Sequence, residues 1–342
     1  MGGLGLTLQF LLELLTAVIL VPIAGALYQW AGIARDTRRF PAPGRLVDVG
    51  GSRLHIDVQG EGSPVVVFEA GIAATSLSWR LIQPEIARLT RTASYDRAWL
   101  GWSDSTPKPR GIEQVAEELR TLLDKAGLTA PRILVAHSYG GLVARAYAAR
   151  YPAEVAGMVL VDPVAAGEWA SPSRLHRKSL RRGIALSRRG ALLARLGVVR
   201  FALSMLSAGA RSVPKLVARA SAGRGVAFTE RIVGEIGKLP RDVWPMIQAH
   251  WCDPKCFEGM ARYLEALPES AVSVERGVSC TPLIVLSAGN SSPSQRADHQ
   301  SLARGPNARL EIVAGSGHWI QLDRPDVVIR AIGELVARAR AT

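Results

Sequence analysis

The stretch RILVAHSYGGLVARAYAARYP, Arg132 to Pro152, decides the fold. Ile133 to Ala136 is a continuous apolar run, as expected of a strand buried on both faces. GLVARAYAARYP then reads as a helix ended by Pro152. Ser138, Tyr139 and Gly140 leave almost no length for the turn between them. At so sharp a junction the residues two before and two after Ser138 must be small, or the strand and helix backbones collide. Gly140 meets this outright, and Ala136 adds only a methyl group. The Gly-x-Ser-x-Gly elbow pattern is therefore present with alanine in place of its first glycine. A helix N-cap would also explain the serine. It would not explain a basic partner placed elsewhere in the chain.

Outward from this stretch the same alternation recurs. RLVDVGG and LHIDVQG pair as a hairpin with Gly50 and Gly51 at the turn, and PVVVFEAG and RTASYDR supply the next two strands. GIEQVAEELRTLLDKAG is a helix whose Ile112, Val115, Leu119 and Leu122 fall on one side. VAGMVLVDP, TPLIVLSAG and RLEIVAGSG complete the strands, and RPDVVIRAIGELVARAR closes the chain as a helix. This predicts an α/β fold with a mostly parallel central sheet flanked by helices and an antiparallel hairpin at its start. The chain has 342 residues, 48% of them apolar, enough for one large domain plus an insertion. Strand signals vanish after Pro163, which predicts a core of residues 41–163 and 280–342 with a helical cap insertion over 164–279.

Residues 1–40 are set apart. Leu14 to Ala34 carries no charge over about 21 residues, enough to cross a bilayer. Tyr28 and Trp30 stand where an interfacial aromatic belt would lie, and Arg35, Arg38 and Arg39 follow. A cleaved signal peptide is the alternative, with a small-residue site at Ala24 to Ala26. No Lys or Arg precedes Arg35, so the basic n-region of such a peptide is missing. The expectation is a single-pass N-terminal anchor in a bacterial cell membrane; by the positive-inside rule the three arginines would put the remainder on the cytoplasmic side, and the sequence leaves the orientation open.

The net charge is +13. The excess is concentrated between Val164 and Glu230, where Arg174, Arg177, Lys178, Arg181, Arg182, Arg188, Arg189, Arg195, Arg200, Arg211, Lys215, Arg219 and Arg224 face only Glu168 and Glu230. Arginines interleaved with Leu, Ile, Val and Phe are the composition of a basic amphipathic helix on an anionic membrane surface. A solvated helix face has the same composition. No recognised nucleic-acid-binding module accompanies the charge, so nucleic acid is not expected as a partner. Cys252, Cys256 and Cys280 are an odd number, and Pro254 separates the first pair. His250, Cys252 and Cys256 are read as incidental or buried rather than as a metal set. Neither a metal nor a cofactor is expected.

His318 in GSGHWIQLDRPD follows the last apolar strand in a Gly-rich loop, from which its imidazole can project over the carboxyl ends of the strands. The order Ser138, an acid, then His318 matches a known chain order for nucleophile, acid and base. Taken together, GRLVDVGGSRLHIDVQGEGSPVVVFEAG, ASYDRAWLGWSD, LVAHSYGGLVARAYAARYPAEVAGMVLVDP and GSGHWIQLDRPD resemble the α/β-hydrolase superfamily, in particular its membrane-anchored serine esterase or lipase-like members. The similarity runs from Gly44 to the C-terminus except for the insertion. One departure is Trp99, where the family often has glycine, and its bulk is expected to reshape the site entrance.

The resemblance implies a nucleophile at Ser138, a general base at His318, and an oxyanion hole from the backbone N–H groups of Ile72 and Tyr139. It offers two positions for the acid. The loop after TPLIVLSAG has Asn290, Ser291 and Ser292 where a carboxylate often stands, and its first acid is Asp298. The end of the preceding strand has Asp162, which is favoured because a strand-end carboxylate suits the task of orienting a histidine. Asp96, Arg97 and Asp104 are read as loop-stabilising. The implied activity is ester hydrolysis on an apolar or lipid-like small-molecule substrate. An acyltransferase, or a non-catalytic binding or scaffold protein on the same fold, is the alternative.

Overall fold

The structure is a computed structural model that describes residues 2–207, 237–275 and 281–341. Strands β1 (Arg45–Asp48), β2 (Arg53–Gln59), β3 (Val65–Glu69), β4 (Thr92–Tyr95), β5 (Arg132–His137), β6 (Val155–Val161), β7 (Leu283–Ala288) and β8 (Ala308–Val313) form one sheet, ordered β1-β2-β4-β3-β5-β6-β7-β8. The β1–β2 and β2–β4 pairs are antiparallel and the rest are parallel. The hairpin turns as expected, with Gly50 at φ 102° and Gly51 at φ 92°, a backbone that favours glycine.

Helices α1 (Gly2–Arg39), α2 (Gln83–Ala87), α3 (Ile112–Lys125), α4 (Gly140–Arg150), α5 (Ala166–Ala170), α6 (Arg174–Arg195), α7 (Val198–Ser207), α8 (Trp244–Cys252), α9 (Pro254–Glu275), α10 (Pro293–Leu302), α11 (Ile320–Asp323) and α12 (Pro325–Ala341) complete the described elements. β3, β5 and β7 are buried along their whole length. Successive side chains of a strand point to opposite faces, so each of these strands feeds two cores. Leu134 and Ala136 join α3 and α4 on one face, whereas Ile133 and Val135 join Val328, Ala331, Ile332 and Leu335 of α12 on the other. Runs that are apolar at every position follow directly from this two-sided burial.

Between β6 and β7 the described elements are helical. The pairs Arg188–Glu265 and Arg195–Glu258 run α6 and α9 antiparallel to each other. Arg211, Lys215, Arg219, Arg224, Glu230 and Cys280 lie outside the described residues. Cys252 and Cys256 are free, buried thiols, and burial pushes them up to about 11 and about 12. Among the described residues one helix, α1, is long and apolar enough to cross a membrane; its most apolar stretch has a mean hydropathy of 2.3 and is not buried.

Candidate active site

β5 delivers Ser138 at φ 53°, a left-handed backbone rare for any residue but glycine. The elbow persists because its surroundings over-determine it. Ser138 N–H donates to Val161 O at 3.0 Å, and Ser138 O accepts from Gly141 N–H at 3.0 Å and Val164 N–H at 3.2 Å. A Cβ on Gly140 would lie 2.7 Å from Glu69 Cγ and 2.8 Å from the carbonyl oxygens of Glu69 and Ala70. Ala136 is fully buried. The small residues on either side of Ser138 are therefore a packing requirement, as the sequence implied.

β6 ends at Asp162, which is also left-handed at φ 42°. Its Oδ1 accepts from Ala288 N–H at 2.9 Å and from the Ser291 hydroxyl at 3.1 Å. Its Oδ2 faces His318 Nδ1 at 2.6 Å, and His318 Nε2 lies 3.0 Å from Ser138 Oγ. Burial pushes the Asp162 carboxyl up. The His318 hydrogen bond and charge, with the Ala288 N–H, outweigh burial and hold it below its ordinary value. An ionised Asp162 accepts, so the imidazole proton belongs on Nδ1 and the Nε2 lone pair faces the serine. Asp298 sits half-buried on α10, and His318 turns to Asp162 rather than to it.

His318 is held from behind. His137 Nε2 donates to the His318 carbonyl at 2.9 Å, and the two rings lie 4.7 Å apart. Burial pushes His137 down to about 3, so it is neutral beside the His318 imidazole. Gly317 N–H donates to Asp323 at 2.8 Å and fixes the start of the loop.

Ile72 follows β3 and lines the cavity that Ser138 enters. Arg97 sets that loop: it donates to Ala70 O at 2.6 Å, to Gly71 O, and to the buried Glu69 carboxylate, which Tyr95 also reaches. Among the described residues no backbone carbonyl takes the N–H of Ile72 or of Tyr139. The Tyr139 ring is buried against Tyr263 and Arg97, away from the cavity. Asp96 accepts from Ser76 N–H at 2.7 Å, Trp102 N–H at 3.1 Å and His55, while Asp104 pairs with Arg53. These groups tie loops, as read from the sequence.

The cavity encloses about 330 Å³. Besides Ser138, His318 and Ile72 its wall includes Leu77, Val164, Leu239, Ile247, Trp251 and Trp319, an apolar lining. Polar members of the wall are Thr75, Ser78, His137, Gln295 and His250, the last pushed down to about 4 by burial. In the sequence His250 reads as incidental and nothing singles out Gln295. Trp99 corrects one expectation, because it does not line the cavity. It adopts φ 75°, which explains why glycine suits that position, and it is buried beneath α9 with Gly259 against its Cβ and Arg262 over its ring at 4.6 Å. Glu69, the anion that anchors Arg97, was also missed, since one acid at a strand end looks like any other.

Likeness to known proteins bears on the fold and the family. Among curated relatives, the protein YqjL of Bacillus subtilis is 33% identical over 128 residues, 36% of this chain and 50% of that one. The 2-hydroxy-6-oxo-2,4-heptadienoate hydrolase of Pseudomonas putida is 33% identical over 129 residues, 35% of this chain and 45% of that one. The aligned segments thus span about half of these relatives or less. Among solved structures, an esterase of Thermogutta terrifontis has a TM-score of 0.60 at 23% identity, covering 84% of this chain and 94% of that one. A putative epoxide hydrolase of Pseudomonas aeruginosa has a TM-score of 0.67 at 16% identity, covering 87% and 96%. Identities this low speak for the fold alone. The Alpha/beta hydrolase family profile matches residues 66–331, most of the chain, and the protein belongs to that family.

Proposed function

We propose that this hydrolase-family protein cleaves carboxylic esters by acyl transfer to Ser138. The observation that carries this is the unbroken chain Ser138 Oγ, His318 Nε2 at 3.0 Å, His318 Nδ1 and Asp162 Oδ2 at 2.6 Å, on a strained elbow at the cavity floor. A neutral hydroxyl attacks poorly at pH 7, so a hydrogen-bonded imidazole takes its proton as the bond to the carbonyl carbon forms. The N–H groups of Ile72 and Tyr139 receive the oxyanion. The tetrahedral intermediate collapses, and His318 gives its proton to the departing alkoxide. Water then attacks the acyl-serine, giving its proton to His318. Collapse returns that proton to Ser138 and releases the acid. Asp162 stays ionised throughout and stabilises the imidazolium.

A serine at the elbow also argues against haloalkane and epoxide substrates. Alkylating Ser138 would leave an ether, which has no carbonyl for water to attack, and turnover would stop after one event. The apolar lining favours an acyl or alcohol group with little polarity. The test is labelling of the detergent-solubilised protein by a fluorophosphonate probe. Labelling is expected in the wild type, absent in Ser138→Ala, and strongly reduced in His318→Ala and Asp162→Asn but not in Asp298→Asn. A folded wild type that does not label would overturn the proposal.

A further inference from the structure

α1 changes character along its length. Phe10, Leu14, Val18 and Val21 are exposed, as are most of their neighbours. From Gly25 onward the helix lies against the helices between β6 and β7 through one stripe, Gly25, Gln29, Gly32, Ile33 and Asp36. That spacing is one face of a helix. A Cβ at Gly25 would lie 2.3 Å from Leu196 O, and one at Gly32 2.3 Å from Arg200 Nε, so glycine lets these elements touch. Gln29 donates to Cys252 O at 2.6 Å and accepts from Arg200 Nε at 3.0 Å, and Arg200 also pairs with Asp36.

The order of contacts fixes a level. Going from the apolar end of α1, the Leu196–Gly197 turn between α6 and α7 is met first, then Cys252 and Arg200. The uncharged run Leu14 to Ala34 is about 21 residues, or about 31 Å of helix, close to one hydrocarbon thickness. Docking begins at Gly25, inside that run. The bilayer and the α6–α7 turn must therefore share a stretch of α1. Exposed Leu192 and Phe201 flank the turn, Tyr28 packs against Gly197, and Trp30 on the free side is 72% exposed. Arg174, Arg177, Lys178, Arg181 and Arg182 crowd an exposed part of the same helix α6, with no carboxylate partner among the described residues. Behind the dock, α8 holds its Cys252 carbonyl to Gln29 and turns Ile247, His250 and Trp251 into the cavity of Ser138.

We propose that the α6–α7 face is seated on an anionic bilayer with its turn at headgroup level, so that the cavity receives an amphiphilic ester from the lipid phase. The substrate half rests on the hydrolytic role of Ser138, and the seating half does not.

The experiment uses the full chain in vesicles of phosphatidylcholine and phosphatidylglycerol. An environment-sensitive fluorophore is placed at Leu192→Cys, or at Leu89→Cys beyond α2 near the amino ends of the strands as the distal control. Both substitutions are made in a Cys280→Ser background, since Cys280 lies outside the described residues, and that background protein, with Cys252 and Cys256 buried, is the labelling blank. Quenching by spin-labelled lipid is expected at Leu192→Cys and not at Leu89→Cys, and equal quenching at the two positions would overturn the seating. In parallel, Gln29→Leu is expected to lose about tenfold in kcat/KM on a vesicle-borne long-chain ester and less than about twofold on a soluble short-chain ester. Equal losses on both would overturn the lipid-phase substrate. Quenching without any hydrolysis by the wild type would sink the hydrolytic role alone, leaving the seating in place.

Discussion

Asp162→Asn tests the chemistry at a single atom. Asp162 Oδ1 accepts from Ala288 N–H and the Ser291 hydroxyl, so an asparagine keeps its carbonyl oxygen on that side. Its NH₂ then faces His318 Nδ1, across a contact that is 2.6 Å in the native pair. A donor at that point is compatible only with a bare Nδ1, which moves the ring proton to Nε2. Nε2 is the atom 3.0 Å from Ser138 Oγ, and once protonated it cannot accept the serine proton. The same tautomer error in a serine protease costs about 10⁴ in kcat, or about 5 kcal/mol at the transition state, and that loss is expected here. The substitution is isosteric, so circular dichroism should show an unchanged fold. Ester turnover and the rate constant for fluorophosphonate labelling are the readouts, with Asp298→Asn as the matched control. A loss of less than about tenfold would falsify the assignment of Asp162 as the group orienting His318.

Further outcomes follow from the same geometry. Gly140→Ala places a methyl within 2.8 Å of two backbone carbonyls and should cost about 1–3 kcal/mol in a denaturant titration; an unchanged midpoint would refute the collision. Arg97→Met leaves the Glu69 carboxyl buried without its cation and should cost about 3–5 kcal/mol, and a cost under about 1 kcal/mol would show that the pair is dispensable. Burial raises the Asp96 carboxyl, but His55 and the Ser76 N–H bring it down from 3.8 to about 2. Its ionised form therefore adds about 2 kcal/mol of stability above about pH 4, lost as the pH falls toward 2, and Asp96→Asn should flatten that acid limb in a pH series of melting temperatures. Adding Ser291→Asp to Asp162→Asn should recover at least about tenfold of the lost turnover, because that hydroxyl lies 3.1 Å from the native carboxylate; no gain would mean the loop cannot present an acid to His318.

The fold was legible wherever its physics is local. Apolar runs at every position marked β3, β5 and β7 because both faces of the sheet are covered, and paired glycines marked the β1–β2 turn because only they adopt φ near +100° without strain. Ser138 was legible for a similar reason, since steric demands at the elbow write themselves into Ala136 and Gly140. What stayed hidden depends on contacts between distant segments. Trp99 looked like an obstruction at the entrance. It is in fact packed under α9 against Gly259, a residue 160 positions away whose meaning appears only once the insertion is folded over the sheet. Glu69 is a further case, since nothing in VVVFEAG says that its carboxylate will be buried with Arg97 to shape the loop carrying Ile72.

The proposed acid, Asp162, shows why the sequence left two positions open. Asp162 and the loop after β7 are far apart in the chain, yet parallel pairing sets Val161 of β6 beside Leu286 of β7, so both strands end at one place. A carboxylate on either strand end can therefore reach the same histidine, and the fold tolerates either solution. Here the loop carries Ser291, which donates to Asp162 Oδ1 together with Ala288 N–H. The position that lacks the acid supports the one that has it. Burial disfavours the ionised carboxylate, and the His318 hydrogen bond and charge, with the Ala288 N–H, outweigh it. Ser291 is thus the residue that makes Asp162 intelligible, and its part follows from strand register rather than from any motif.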